Sequence, residues 1–209
     1  MQHEAIRRLA EKSRSIRSFL PDGAPDAETL HRLAEIIRYC PSSGNLQPLR
    51  CRLVYAEAEC AAVFETLRWA AYLPQGTVPP HGWRGISYIV LLNDTAVAPK
   101  TEAFLRDTGI AAQTILLYAA DNGLGGCMIG NVDTAALKER LHLGERYDVT
   151  LVLALGVPDE APVIVDAAED IRYYRRDGVQ YVPKRSVQEL ILSPEDGSGE
   201  QGERAGGSL

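Results

Sequence analysis

Apolar residues recur at helical spacing in the first 40 positions. Ala5, Ile6, Leu9 and Ala10 predict a short amphipathic helix that ends near Lys12. A second helix is predicted to begin after Asp26 as its N-cap, with apolar residues at 30, 33, 34 and 37 on one face. Pro41 ends it, because proline cannot continue a helix.

Strands and helices alternate along the rest of the chain. Strands are predicted at residues 50–56, 86–92 and 149–155, with helices at 58–72, 102–122 and 133–144 between them. Ser186 and Glu189 form a capping-box pattern that starts a last helix, to about Leu192. The alternation favours an α+β fold with helices around a central mixed sheet, in a single domain over 1–192. The Gly-, Ser- and Glu-rich residues 193–209 predict a disordered tail.

The helix over 102–122 is apolar around its whole circumference rather than along one stripe. Such a helix is expected to be buried on all sides. In a chain of 209 residues, this indicates burial against a second subunit as well as against the sheet of its own chain.

Composition excludes several classes of protein. The net charge of −6, with no long basic run, argues against nucleic-acid binding. We expect a cytoplasmic protein without a membrane span, because the N-terminus lacks a signal-peptide pattern and no stretch reaches about 18 apolar residues. The four cysteines lack C-x-x-C spacing and the four histidines lack metal-ligand spacing, so no metal site is predicted.

Four short segments carry candidate chemistry. The first is residues 13–19, Ser-Arg-Ser-Ile-Arg-Ser-Phe, in which Arg14 and Arg17 flank Ser15. Guanidinium groups bind phosphate bidentately, and a nearby hydroxyl completes such a site. The alternative is a solvated basic end of the first helix, where the helix dipole favours cations.

The second segment is residues 41–48, Pro-Ser-Ser-Gly-Asn-Leu-Gln-Pro, between a helix and a strand. Its small polar side chains and accessible backbone suit the edge of a polar ring, or it is a turn that caps a helix. The third is residues 123–130, Gly-Leu-Gly-Gly-Cys-Met-Ile-Gly, whose glycines let a backbone lie against a flat ring or end a helix. The fourth is Lys184-Arg185, before the last helix, where the helix dipole disfavours cations unless an anion is present.

In this order the four segments resemble those of the FMN-dependent nitroreductase family, over roughly residues 3–192. The resemblance implies the nitroreductase-like fold and an intertwined homodimer with FMN at the interface. Ser13 stands where the family usually has a first arginine, a phosphate ligand. The residues implied in FMN binding are Ser13, Arg14, Ser15, Arg17, Pro41, Ser42, Ser43, Asn45, Gln47, Met128, Ile129, Gly130, Asn131, Lys184 and Arg185.

The resemblance also implies roles for individual residues. Arg17 matches the cation at the pyrimidine edge of the flavin, and Gly130 with Asn131 matches the backbone beside its N5 atom. Segment 41–48 would reach the flavin of the partner subunit, and Lys184 with Arg185 would return to its phosphate. No acid–base pair is predicted, because the chemistry belongs to the flavin.

The implied activity is a ping-pong reaction. NADH or NADPH reduces FMN and leaves, and a small electron-poor acceptor such as a nitroaromatic or a quinone takes its place. Three alternatives stay open: a specialised flavin-dependent dehydrogenase or dehalogenase, a non-catalytic FMN-binding protein, and a dimeric scaffold without cofactor.

Overall fold

The computed structural model describes residues 4–74 and 76–193. It divides into two compact units, Met1–Pro162 and Val163–Leu209. Apart from Ser193, the tail predicted at 193–209 lies outside the described residues. The single domain over 1–192 stays a prediction.

The first unit is built on a four-stranded sheet in the order β1-β2-β4-β3. All three pairings in this sheet are antiparallel. The strands are β1 (Leu49–Val54), β2 (Ser87–Asp94), β3 (Gly125–Ile129) and β4 (Tyr147–Gly156).

Five α-helices belong to this unit, and side chains cap two of them as the sequence predicts. Asp26 accepts a hydrogen bond from Thr29 N–H at 2.8 Å and Asp133 accepts one from Ala136 N–H at 3.0 Å. The helices are α1 (Glu4–Lys12), α2 (Ala27–Glu35), α3 (Glu57–Glu65), α4 (Leu105–Asp121) and α5 (Thr134–Arg140).

Both faces of the sheet are covered. All eight residues of β2 are buried, so its alternating side chains enter two separate cores. One core receives Tyr88 and Val90 with side chains of α3 and α5. The other receives Ile89 and Leu91 with side chains of α2 and α4. α4 therefore lies directly on the central strands.

The structure shortens one predicted helix and adds one strand. The helix predicted over 58–72 ends at Glu65, because the following residues pair with another segment: Leu67 bridges Val132, and Arg68 N–H donates to Asn131 O at 3.0 Å. Residues 125–129 form strand β3, which the glycine-rich sequence did not indicate, since glycine is depleted in strands.

α4 is buried on one face only within the chain. Ala112, Ile115 and Ala119 lie in the core, whereas Leu105 and Ile110 are 49% and 40% exposed. The single chain therefore buries one side of the helix, and the expected burial of the rest against a second subunit stays a prediction. The uncovered side of the helix carries these two apolar residues together with the exposed Arg106 and Gln113.

The second unit contains a three-stranded sheet that the sequence reading did not predict. Its strands are β5 (Val163–Asp166), β6 (Tyr174–Arg176) and β7 (Val179–Lys184), in the order β5-β7-β6. α6 (Val187–Leu190) follows, and its predicted capping box between Ser186 and Glu189 is present.

The α+β class is confirmed. The central sheet was expected to be mixed, but its strand pairings are all antiparallel. Among the described residues, the parallel pairing with this sheet is the single bridge between Ser15 and Gly126. A parallel strand pair occurs in the second unit, between β5 and β7.

Candidate functional site

Residues 13–17 run beside β3, so the structure joins two of the four segments. Ile16 N–H donates to Gly126 O at 2.9 Å, and Ser15 and Gly126 form a parallel bridge. Ser13 Oγ donates to Leu116 O of α4 at 3.4 Å. The buried Ile16 side chain holds this strand-like segment in the core.

Gly125 and Gly126 are required by this close packing. A Cβ on Gly125 would lie 2.6 Å from Ile16 Cγ1, and one on Gly126 would lie 2.6 Å from Ala154 O and from Leu116 Cδ2. The absence of a side chain at these two positions therefore lets neighbouring parts of the chain pack closely, and does not only leave room for a ring. At Gly130, by contrast, a Cβ would meet only Leu151 Cδ1, at 3.9 Å.

A cavity of about 340 Å³ lies at this junction. Two cationic side chains, Lys12 and Arg14, line it together with Ser13 and Glu160. Lys12 Nζ donates to Ala120 O near the end of α4 at 2.6 Å, and the Arg14 guanidinium donates to Ala10 O. Arg14 Nε is buried and has no hydrogen-bond partner among the described residues.

A buried donor without a partner costs free energy, so the Arg14 Nε atom marks a place where an acceptor from a ligand fits. The donor set is suited to an anion: an ammonium, a guanidinium and a hydroxyl around one opening. Glu11 and Glu160 add two carboxylates to the same cavity. Glu11 is paired with Arg7 at 3.0 Å, and Glu160 accepts the Arg17 backbone N–H.

Arg17 lies next to the middle of β3. Its backbone N–H donates to the Glu160 carboxylate, and its Nη1 donates to Ser15 O at 3.4 Å. Burial raises the pKa of the Cys127 thiol, and the nearby charge of Arg17 partly opposes that rise. The guanidinium therefore acts electrostatically on the segment that, by the family resemblance, is expected beside a flavin.

The predicted contacts along 128–131 differ in accessibility. The Ile129 side chain is buried in the core and Met128 is half-buried, whereas Gly130 and Asn131 are exposed. Asn131 O is engaged by Arg68 N–H. The exposed backbone of 130–131 is the part of this segment that a ligand can reach.

Segment 41–48 forms a second candidate binding region. Asp107, which the sequence analysis did not identify, holds it in position. Asp107, in the first turn of α4, accepts hydrogen bonds from Ser42 Oγ at 2.7 Å, Ser43 N–H at 3.0 Å and Ser43 Oγ at 3.0 Å. A signal existed in the sequence, because an aspartate inside an otherwise apolar helix needs polar partners.

The environment of Asp107 favours its ionised form. Burial raises its pKa, but the hydrogen bonds from Ser42 and Ser43 outweigh burial, and the pKa of Asp107 lies below its ordinary value. The residue is therefore a carboxylate at neutral pH.

The loop beyond the serines has an unusual backbone. Gly44, Asn45 and Gln47 have φ angles of 58°, 54° and 52°. Gln47 Nε2 donates to Asn45 O and Asn45 Oδ1, both at 3.1 Å, and Gln47 N–H donates to Ser42 Oγ at 3.0 Å. Pro41, Asn45 and Gln47 are exposed. Asn45 Nδ2 and Gln47 Oε1 bind no other described atom, so one amide donor and one amide acceptor are available.

The two candidate binding regions, residues 13–17 and segment 41–48, are far apart within one chain. Asp107 holds segment 41–48 near the start of α4, whereas Ala120 holds Lys12 near its end. At 1.5 Å per residue these anchor points lie about 20 Å apart along the helix. The chain alone therefore does not bring segment 41–48 to residues 13–17.

Lys184 and Arg185 belong to the second unit, where both are exposed. Arg185 Nη1 donates to Glu189 Oε1 at 3.1 Å, beside the capping box of α6. Their predicted part in phosphate binding stays a prediction.

The described part of the chain contains no group of three or more His, Cys, Asp or Glu side chains arranged to hold a metal ion. None of the described helices combines the length and the apolar character needed to cross a membrane.

Comparison with known proteins gives consistent matches. The family model of the Nitroreductase family matches residues 10–157. A nitroreductase family protein from Clostridium novyi NT is 24% identical, with a TM-score of 0.61 over 73% of this chain and 85% of its own. An FMN-dependent nitroreductase from Clostridium difficile R20291 is 22% identical, with a TM-score of 0.59 over 73% and 87%.

The nitroreductase family protein from Streptococcus pneumoniae TIGR4 is 18% identical, with a TM-score of 0.65 over 90% of this chain and 99% of its own. At these identities the structural likeness establishes the fold alone. The search of curated proteins found no match.

Proposed function

The chain belongs to the nitroreductase family, and we propose that it is an FMN-dependent oxidoreductase that uses NADH or NADPH to reduce an electron-poor acceptor such as a nitroaromatic or a quinone. One observation carries the proposal: Arg14 Nε is buried without a partner at the cavity where residues 13–17 meet β3. Both segments are ones that the family resemblance assigns to FMN.

Arg14 and Lys12 would bind the FMN phosphate. Ser13 replaces the usual first arginine, so the charge must come from its neighbours, and both line the same cavity. Arg14 would gain the acceptor that its Nε lacks, and Lys12 would keep its bond to Ala120 O with one of its three donors. A bound FMN supplies the hydride chemistry that the amino acids lack.

Arg17 and the exposed backbone of 130–131 would orient the flavin ring. A fixed cation at one edge of a flavin raises its reduction potential, and a backbone N–H at the opposite edge directs the ring. The position of Arg17 beside Cys127 of β3 supports this assignment, because its charge already acts on that strand.

The active unit would be a homodimer. Segment 41–48 presents amide and hydroxyl groups to solvent, but α4 keeps it about 20 Å from the Lys12 anchor. The segment would therefore complete the site of the partner subunit. The exposed Leu105 and Ile110 on the uncovered side of α4 support burial against that subunit.

NAD(P)H and the acceptor would use the same pocket in turn, so the kinetics would be ping-pong. A second candidate is a non-catalytic FMN-binding protein. Glu11 and Glu160 favour it, because two carboxylates in the cavity weaken anion binding there.

The visible spectrum of the purified, FMN-reconstituted protein tests both candidates. Oxidised-flavin bands that bleach on anaerobic addition of NADPH or NADH at a catalytic rate support the oxidoreductase. Bands that persist with both reductants support the non-catalytic protein. A chain that takes up no FMN at all contradicts both.

A further inference from the structure

Asp107 is a buried carboxylate whose side-chain partners are neutral. Its exposure is 3%, and its oxygens accept three hydrogen bonds from Ser42 and Ser43. No ion pair joins it to a cation in the described chain. A buried charge without a cation is costly, and packing α4 on the sheet does not need one.

The hydrogen bonds extend from Asp107 across the loop. Ser42 Oγ donates to Asp107 Oδ2 and accepts from Gln47 N–H at 3.0 Å. Asp107 thereby fixes both ends of the stretch 42–47. Asn45 and Gln47 within it have positive φ angles, which persist only where surrounding contacts impose them.

We propose that Asp107 is a positioning residue for FMN: through Ser42 and Ser43 it holds segment 42–47 in the backbone conformation that presents Asn45 and Gln47 to the flavin. This rests on the proposed function, since it assumes that the segment contacts FMN. The residue acts at a distance and touches neither cofactor nor substrate.

A carboxylate suits this task better than an amide. All three of its partners are donors, Ser42 O–H, Ser43 O–H and Ser43 N–H. An asparagine at position 107 is neutral and has one acceptor oxygen, and its NH₂ group would have to donate to a Ser43 hydroxyl that has turned to accept. Asp107→Asn therefore removes the charge and rearranges the network with almost no change in volume.

The test compares FMN binding by the wild type, Asp107→Asn and the control Asp121→Asn, which makes the same substitution at an exposed position of the same helix. Loss of hydrogen bonds to a charged group predicts a dissociation constant about 10- to 100-fold higher for Asp107→Asn. Asp121→Asn should stay within about twofold of the wild type. The visible spectrum of the bound flavin should also change in Asp107→Asn only.

A double-mutant cycle separates positioning from general loss of stability. Ser42→Ala interrupts the link from Asp107 to Gln47 without altering a buried charge. If Asp107 acts through Ser42, the double variant should bind FMN no more weakly than Asp107→Asn alone. Additive losses would overturn the proposal. Should Asp107→Asn not fold, Ser42→Ala alone must still weaken FMN binding and alter the flavin spectrum.

FMN binding by the wild type distinguishes failure of the proposed function from failure of the positioning role. If the wild type binds no FMN, the proposed function is wrong. If the wild type binds FMN and Asp107→Asn binds it with the same dissociation constant and spectrum, the positioning role alone is wrong.

Discussion

Gly126 accepts the Ile16 N–H at 2.9 Å, and this hydrogen bond joins the arginine-containing segment to the glycine-rich strand. The close approach depends on the neighbouring Gly125, because a Cβ there would lie 2.6 Å from Ile16 Cγ1; at Gly126 itself a Cβ would lie 2.6 Å from Ala154 O. The relationship brings Arg14 to the cavity and Arg17 to β3. The candidate phosphate and ring sites are thus built on one backbone contact.

Gly126→Ala is expected to destabilise the protein by about 1–3 kcal/mol, because the added methyl group must displace backbone and the Leu116 side chain. Chemical denaturation of the apo protein measures this. Gly144→Ala is the control, since a Cβ there meets nothing within 4 Å and should change stability by less than about 0.5 kcal/mol. Equal effects of the two substitutions would contradict the packing explanation.

Long periodic elements could be predicted from the sequence. The apolar spacing of α2, the Asp26 and Asp133 caps and the capping box of Ser186 are local signals, and each appears as expected. α3 was predicted too long because its end is decided by pairing of Leu67 with Val132, which no local pattern reveals.

The candidate site likewise contains residues that could be identified from the sequence and others that could not. Arg14, Ser15 and segment 41–48 were found as motifs, because polar residues at those positions have no structural use in a core. Asp107 was missed, since its role depends on a contact with residues more than 60 positions away. The pairing of Ser15 with Gly126 likewise connects distant segments that only the fold brings together.

Asp94 should contribute stability that depends on pH. The buried carboxylate receives two hydrogen bonds from Arg146, at 2.6 and 2.7 Å, and these hold the pKa of Asp94 below its ordinary 3.8. A carboxyl group whose pKa is lower in the folded state than in the unfolded state stabilises the fold fully at pH values above its unfolded-state pKa. This contribution disappears as the pH falls through the lower folded-state pKa.

Asp94→Asn should therefore lower the unfolding free energy clearly at pH 7, with the difference from wild type shrinking below about pH 4. Urea denaturation at several pH values measures it. Asp22→Asn, at an exposed turn, is the control and should show little loss at either pH. A difference from wild type that grows towards acid pH would contradict the assignment.

Ser13→Arg should tighten FMN binding by about tenfold, because it adds a guanidinium to a cavity that already holds Lys12 and Arg14. Fluorescence titration with FMN measures the dissociation constant. Ala58→Arg adds the same charge to the exposed surface of α3 and should have little effect. An unchanged constant in Ser13→Arg would show that the existing cations already saturate the phosphate.

Arg17→Ala should lower the reduction potential of bound FMN and slow its reduction by NAD(P)H more than it weakens binding. The physical reason is the loss of a fixed positive charge beside β3. Spectroelectrochemistry and stopped-flow reduction measure the two effects, and Arg7→Ala on exposed α1 is the control. Unchanged potential and kinetics would remove Arg17 from the flavin site.

Ile110→Asp should abolish dimerisation and FMN binding together. Ile110 is 40% exposed on the uncovered side of α4, so a monomer would tolerate the charge, whereas a subunit interface would have to bury it. Sedimentation velocity with and without FMN measures the assembly, and Ala58→Asp on exposed α3 controls for added charge. Loss of the dimer with loss of FMN would show that segment 41–48 acts across the interface. A monomeric variant that keeps wild-type FMN affinity would show instead that one chain completes the site, despite the length of α4 between its two anchor points.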